Sequence, residues 1–374
     1  MAYKILVGGY STFLTTLLFN PYASPPTLEI LNQSPSGINA SWLAPHPTNA
    51  SIVFGTQEID AGGVASYVIQ PDGSASIVSN VSTYGSGPAY VGVLSNLRDV
   101  VAMNYNSGNG AVIPLELDGV TLSEPPPQGL LAFSGSGPNT ARQLSSHPHM
   151  VFQNGATNSQ ELLVPDLGSD KVWRLTSTAP NTYDIAGYIQ QPLGSGPRHG
   201  VLYTTPESED GSDPTTYVYI VHELANTVTQ QTIPSLASGI EPELIATVPT
   251  IPPGGDNTTI AAAEILLGSV NALYDESYLY VSNRWDPNPL GDTVVVVNPN
   301  PLEVLAQVRT GLYGIRGMMI GGNQDQYIIV GGQGSGGVAV LERIDGGRNL
   351  TLVASLNSSL IEAPTTFVWL GQLA

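Results

Sequence analysis

Four short stretches hold most of the side chains in this chain that could carry chemistry. "HPHMVF" supplies His147 and His149, "GPRHGVLY" supplies Arg198 and His199, "IVHELANTV" supplies His222 and Glu223, and "LYVSNR" supplies Arg284. Cationic residues are scarce, with 11 Lys and Arg against 30 acids and a formal charge of -19. The types suit acyl transfer: an imidazole or carboxylate accepts a proton from water, and guanidinium groups stabilise the oxyanion that forms. They equally suit a forked grip on substrate carboxylates. A metal centre fits poorly. His147 and His149 lie at i and i+2, no third ligand is spaced near them, and zinc rarely settles for two.

These residues need elements to position them, and a repeat supplies the elements. Openings such as "GPAYVGV", "HPHMVF", "GPRHGVLY", "AAAEILL" and "YGIRGMMI" each lead into a short apolar strand, a polar turn and a second apolar strand. A weaker copy starts at "GINASWLAPHP" and another at "EAPTTFVWL". The openings fall near residues 38, 87, 147, 196, 262, 314 and 363. A spacing of roughly 50 residues with strand-only content predicts a β-propeller. The fold class is therefore all-β, one propeller domain over 1–374, with seven blades counted and six or eight as the alternatives. "YKILVGGY" resembles an outer strand without its own opening strand, so it is expected to complete the last blade and close the ring.

Aligned by their openings, the repeats predict two rings around a central channel. Ala89, His149, Arg198, Glu264 and Arg316 fall just after the Pro or its substitute. Tyr105, Asp166, Glu223, Arg284 and Gln333 close the second strands. His149, Arg198, Glu223 and Arg284 are the catalytic candidates. His147, Tyr105, Asp166, His199, Glu264, Arg316 and Gln333 are expected to contact substrate. For any one of them the competing reading is a satisfied channel pair that only fixes blade geometry.

Composition narrows the partners. The acidic balance excludes a nucleic-acid-binding face and attraction to anionic membranes. No apolar run is long enough to span a bilayer as a helix. With no cysteine, disulfides and thiol nucleophiles are absent. Sequons at Asn32, Asn39, Asn49, Asn80, Asn257, Asn349 and Asn357, together with very few lysines, point to export and glycosylation. The start "MAYKILVGGY" lacks the features of a signal peptide and reads as a mature start behind an added Met. "GGQGSGGVAV" ends in strand rather than helix, so it is a turn and not a phosphate loop. "ESEDGSD" at 207–213 reads as a solvated acidic loop.

The pattern "HPHMVF", "VPDLGSDKV", "GPRHGVLY", "IVHELANTV" and "LYVSNR" resembles the seven-bladed propeller lactonases over nearly the whole chain. That family includes bacterial 6-phosphogluconolactonase, fungal 3-carboxy-cis,cis-muconate cyclase and secreted fungal aldonolactonases. The resemblance implies an active site of His149, Arg198, Glu223 and Arg284, with no cofactor. It departs from the family in the longer turn at "ESEDGSDPTT" and in Ile315, where a Pro is usual.

Two enzyme readings follow, and a third from another class. In lactone hydrolysis, Glu223 or His149 would activate water while Arg198 and Arg284 stabilise the oxyanion. In muconate cyclisation, the arginines would clamp carboxylates and His149 or Glu223 would protonate carbon. A non-catalytic binding scaffold is the third. A net charge of -19 would repel a polyanion unless the channel is locally positive, so a neutral sugar lactone such as gluconolactone or cellobionolactone is the expected substrate.

Overall fold

The computed structural model describes residues 2–155, 161–207 and 214–372. Apart from Glu207, the acidic stretch 207–213 lies outside the described residues. The described strands form seven four-stranded antiparallel sheets, one per blade. Their innermost strands are Leu43–His46, Pro88–Val93, Phe152–Asn154, Pro197–Thr204, Ala261–Leu267, Ile315–Gly321 and Pro364–Gln372. Numbered in that order, blades one to seven start where the seven openings place them. The last strand pairs with Tyr3–Gly9, with Tyr3 opposite Gln372, so the N-terminal hairpins supply the outer strands of blade seven and the ring is closed.

Burial follows from blade-on-blade packing. A middle strand is covered on both faces by its neighbours, so its sequence reads as an apolar run rather than an alternation. Asp99–Asn104 and Leu279–Arg284 are buried at every position. Outermost strands have a wet face and alternate, as in Thr27–Pro35. The apolar clusters bridge blades: Phe54 and Val64 pack with Val91 and Val100, and Tyr219 and Val221 with Ile265 and Leu279.

The turn into each blade sets the site. Gly87, Gly196 and Gly314 have φ of +63°, +65° and +81°, the left-handed region that glycine enters without steric cost. At the corresponding places in blades one and seven, Asn39 and Ala363 take φ of 55° and 38°. The carbonyls at these places accept N–H groups from the ends of the second strands: Gly196 from Glu223, Gly87 from Tyr105, Asn39 from Glu58 and Ala363 from Tyr10. Two residues later the inner strand bulges. Pairing skips between Pro88 and Tyr90, and between Pro197 and His199, leaving Ala89 and Arg198 as the extra residues. A bulge re-aims its side chain, and here it turns Arg198 toward the channel axis.

Candidate functional site

Backbone register assigns each blade three successive places at one end of the channel. The first place holds Ser41, Ala89 and His149 in blades one to three, and Arg198, Ala263, Arg316 and Thr365 in blades four to seven. The second, at the end of the neighbouring strand, holds Glu58, Tyr105 and Leu167, then Glu223, Arg284, Gln333 and Tyr10. The third lies one residue deeper along the inner strand and includes Trp42, Tyr90, Met150, His199 and Glu264.

Two expectations shift by one residue. Glu264 lies at the deeper place, and Ala263 is the counterpart of Arg198. Asp166 corresponds to His222, not to Glu223. It is spent inside its own turn, accepting the His147 and Gly168 N–H groups and the Trp173 indole N–H. Leu167 takes the second place in that blade. Asp166 therefore shapes the turn that carries His147 and is no channel group.

The remaining candidates converge. The Glu223 carboxylate is 2.8 Å from Arg284 Nη2 and 3.2 Å from Arg198 Nε. The second contact is too poorly aligned for a hydrogen bond, and Arg198 Nε and Arg284 Nε are buried without acceptors. Arg198 Nη1 donates to the Ala263 carbonyl at 2.6 Å, and Arg284 Nη2 to the Ala262 carbonyl at 3.2 Å. His149 stands beside them, its ring 5.5 Å from that of Tyr105. His147 stacks on Tyr105 at 4.6 Å and its Nδ1 lies 2.7 Å from the Tyr105 carbonyl. Arg316 lies over the Tyr10 ring and 3.9 Å from Glu58, whose other oxygen accepts the Tyr10 hydroxyl at 2.9 Å. Gln333 occupies its place with a buried Oε1 that has no hydrogen-bond partner.

Behind His149 runs a buried chain. Its Nδ1 is 3.1 Å from His199 Nε2, and His199 Nδ1 is 2.8 Å from Glu264 Oε1. Trp42 and Tyr90 pack against His199 in T-shaped contacts, with ring centroids 5.1 and 5.9 Å apart.

Three functional groups were missed. Arg142 comes from the connection between blades two and three, where no repeat partner could flag it. It donates to Glu223 at 2.6 Å and to the Tyr105 hydroxyl at 3.2 Å, with its side chain 43% exposed at the rim. Tyr10 was legible, since "YIIVGGQ" and "KILVGGY" match residue for residue at their ends and align Gln333 with Tyr10. Glu58, in "VFGTQE", carries no such signature.

The field here is opposite to that of the whole protein. Four guanidiniums (Arg142, Arg198, Arg284 and Arg316) face the carboxylates of Glu223 and Glu58. Burial opposes ionisation of Glu223, but Arg284, Arg198 and Arg142 outweigh it and hold the carboxyl far below its usual range. Burial, then Arg198, His199, Arg316 and Arg284, pushes His149 well below the usual imidazole value, so it is neutral at pH 7. His199 is pushed down by burial, with Glu264 in part opposing. The site thus offers a neutral imidazole beside fixed positive charge, an arrangement that can deprotonate water and stabilise an oxyanion. A cleft of about 830 Å³ lies elsewhere, between the opposite ends of the strands of blades four and five, lined by Tyr203, Leu267 and Asn298.

Residues 4–367 match the family model described as "Lactonase, 7-bladed beta-propeller". The chain is 25% identical over 283 residues to a protein of Arthroderma benhamiae named "Probable 6-phosphogluconolactonase", covering 75% of this chain and 66% of that protein. It is 25% identical over 249 residues to 6-phosphogluconolactonase of Bacillus subtilis, covering 66% and 64%. The matches thus span just under two thirds of those relatives' lengths. Among solved structures, a periplasmic gluconolactonase of Pseudomonas aeruginosa superposes with a TM-score of 0.78 at 22% identity, over 99% of both chains.

Proposed function

The chain belongs to the seven-bladed β-propeller lactonase family, and on that premise we propose that it hydrolyses a sugar lactone in the funnel around Glu223. The observation that carries this is the juxtaposition of neutral His149 with the guanidiniums of Arg198 and Arg284. His149 accepts a proton from water as the water oxygen bonds to the lactone carbonyl carbon. Arg198 and Arg284 stabilise the resulting oxyanion, and Arg142 supplies a third guanidinium at the rim. The intermediate collapses by breaking the bond to the ring oxygen, which takes the proton from His149, giving the open hydroxy acid. Both Glu223 oxygens are engaged by guanidiniums, one by Arg142 and the other by Arg284 and Arg198, so neither is free to take a proton from water. The role of Glu223 is to space and orient the guanidiniums. The scheme needs no cofactor.

Charge bears on substrate choice. The overall charge of -19 favours a neutral lactone at long range. At contact, the four guanidiniums outnumber the carboxylates of Glu223, Glu58 and the deeper Glu264, which favours a lactone bearing a phosphate or carboxylate, and a forked donor rewards such a group. Contact governs discrimination, so the reading favoured here is an anionic sugar lactone such as 6-phosphogluconolactone, with gluconolactone and cellobionolactone as slower substrates. The names of the curated relatives agree with it. The test is kcat/KM on these three lactones and on 3-carboxymuconate, with spontaneous opening subtracted. Turnover of 3-carboxymuconate alone would make the protein a cyclase, and a preference for the neutral lactones would remove the role given to the surplus charge.

Export is proposed with it. Of the seven sequon asparagines, Asn49, Asn80, Asn257 and Asn357 are exposed and open to glycosylation. A secreted product whose mass does not change on endoglycosidase treatment would argue against that part.

A further inference from the structure

The buried chain behind His149 has a direction. The Glu264 carboxylate can only accept hydrogen bonds, so His199 must carry its hydrogen on Nδ1, 2.8 Å from Glu264 Oε1. A neutral His199 then presents a bare Nε2, and His149, 3.1 Å away, must donate to it from Nδ1. The hydrogen of His149 is thereby placed on Nδ1. Its Nε2 is left with a lone pair and no hydrogen bond to any described residue.

We propose that Glu264 and His199 are positioning residues that fix His149 in this tautomer, so that Nε2 is the atom taking the proton from water. The role rests on the hydrolase reading above. It replaces the expectation that these two residues contact substrate.

Burial and orientation support the assignment independently. His199 spends both ring nitrogens on Glu264 and His149, and Glu264 sits one residue deeper along its strand than the place that holds Arg198, so neither offers a polar atom to a molecule in the funnel. The Glu264 oxygen that faces His199 also accepts the Ile265 N–H at 3.0 Å, which holds the carboxylate in place. Its other oxygen is buried without a partner. A structural carboxylate gains nothing from such a seat, whereas one kept for its acceptor pole does. The T-shaped contacts of Trp42 and Tyr90 pack the His199 ring, and its partners Glu264 and His149 set which nitrogen faces which way. Arg198, Arg284 and Arg316 lie near enough to oppose a lasting imidazolium at His149, so the proton is returned rather than stored.

The tautomer can be read without substrate. Imidazole nitrogen shifts of protein labelled with ¹⁵N-histidine distinguish Nδ1–H from Nε2–H, and the chain has only five histidines to assign by single His→Gln variants. Wild type should show His149 and His199 both as neutral Nδ1–H forms. In Glu264→Leu no acceptor faces His199 Nδ1, so both hydrogens are free to reverse and one can sit on His149 Nε2. The Nε2–H form of His149 should then be populated. Losing the tautomer-fixing carboxylate of a Ser-His-Asp relay costs about 10⁴ in rate, and a fall in kcat of about a hundredfold or more is expected here. KM should stay within about threefold, because no substrate contact is lost.

A wild-type His149 carrying its hydrogen on Nε2 would overturn the proposal, as would Glu264→Leu with unchanged kcat. Should that variant fail to fold, the wild-type spectrum decides. If wild type opens no lactone at all, the hydrolase reading falls, while the tautomer chain is still judged by the spectrum.

Discussion

Three guanidiniums close on one carboxylate at Glu223, and two of them keep N–H groups without acceptors. An arginine so placed acts through its planar fork as much as its charge. Arg198→Lys keeps the charge but loses the fork and the donation to Ala263. Activity on the preferred lactone should fall roughly ten- to a thousandfold, as for loss of an oxyanion donor. Thermal stability should change little, and a variant that unfolds instead would show Arg198 to be a structural channel pair. At this scale the sequence was informative wherever a rare residue type sat on a repeated place, as with His149, Arg198 and Arg284. It was silent for Arg142, which belongs to a connection outside the repeat and reaches Glu223 only through the fold.

The elements were legible as a period, and their register less so. All seven openings mark the starts of inner strands, and at five of them the turn residue, Asn39, Gly87, Gly196, Gly314 or Ala363, takes the left-handed φ that Gly and Asn enter most easily. Glu264 slipped by one because its blade has Ala262 where others have proline, and the bulge after it removes the alternation that would fix the phase. Asp166 slipped because acid was matched to acid. Counting back from the hairpin turn gives the right answer. Gly108, Asp170, Asn226 and Gly336 all take positive φ, and three residues before each lies Tyr105, Leu167, Glu223 or Gln333. The same conformation is borne by Ala363 at φ 38°, where a side chain is strained. Ala363→Gly should therefore stabilise the protein by about 0.5 to 1 kcal/mol, the left-handed relief less the entropy of the freer unfolded chain. A denaturant midpoint that is unchanged or lower would mean the turn relaxes in another way.

Across the whole molecule, acid is the condition to which the protein should respond. His149, His199 and His222 are buried and neutral, with burial the leading cause of a lowered pKa in each. The unfolded chain binds protons on these rings at a higher pH than the folded one, so their stability contribution is present above about pH 6.5 and lost as pH falls below it. For His222, pushed down from 6.5 to about 4, the loss amounts to roughly 3 kcal/mol. Glu223 adds to it in a lower window: its depressed value gives stability above the ordinary carboxylate range, lost as pH falls through that range and beyond. Thermal midpoints measured from pH 8 to pH 4 should fall first between about 6.5 and 4, with His222→Gln flattening part of that slope. A midpoint constant across the range would contradict the buried neutral state of these rings. The formal charge of -19 was readable from composition. That its sign reverses inside the funnel was not, because composition carries no information on which charges the ring gathers.

The pairing of Tyr3 with Gln372 also sets an order of events in time. Blades three to five, which carry His149, Arg198, Glu223 and Arg284, are built from contiguous chain and can form as synthesis proceeds. Blade seven is different, since it joins the first and last strands of the described chain. The entropy of closing so long a loop grows only slowly with its length, but the search for such distant partners is slow. Arg316 reaches Tyr10 and Glu58 across that join, so its partners are secured only when the ring shuts. Until then one guanidinium of the funnel stands without its aromatic platform and its nearest carboxylate. Activity should therefore appear together with ring closure rather than blade by blade, which stopped-flow refolding checks by following ring-closure fluorescence and lactone opening side by side.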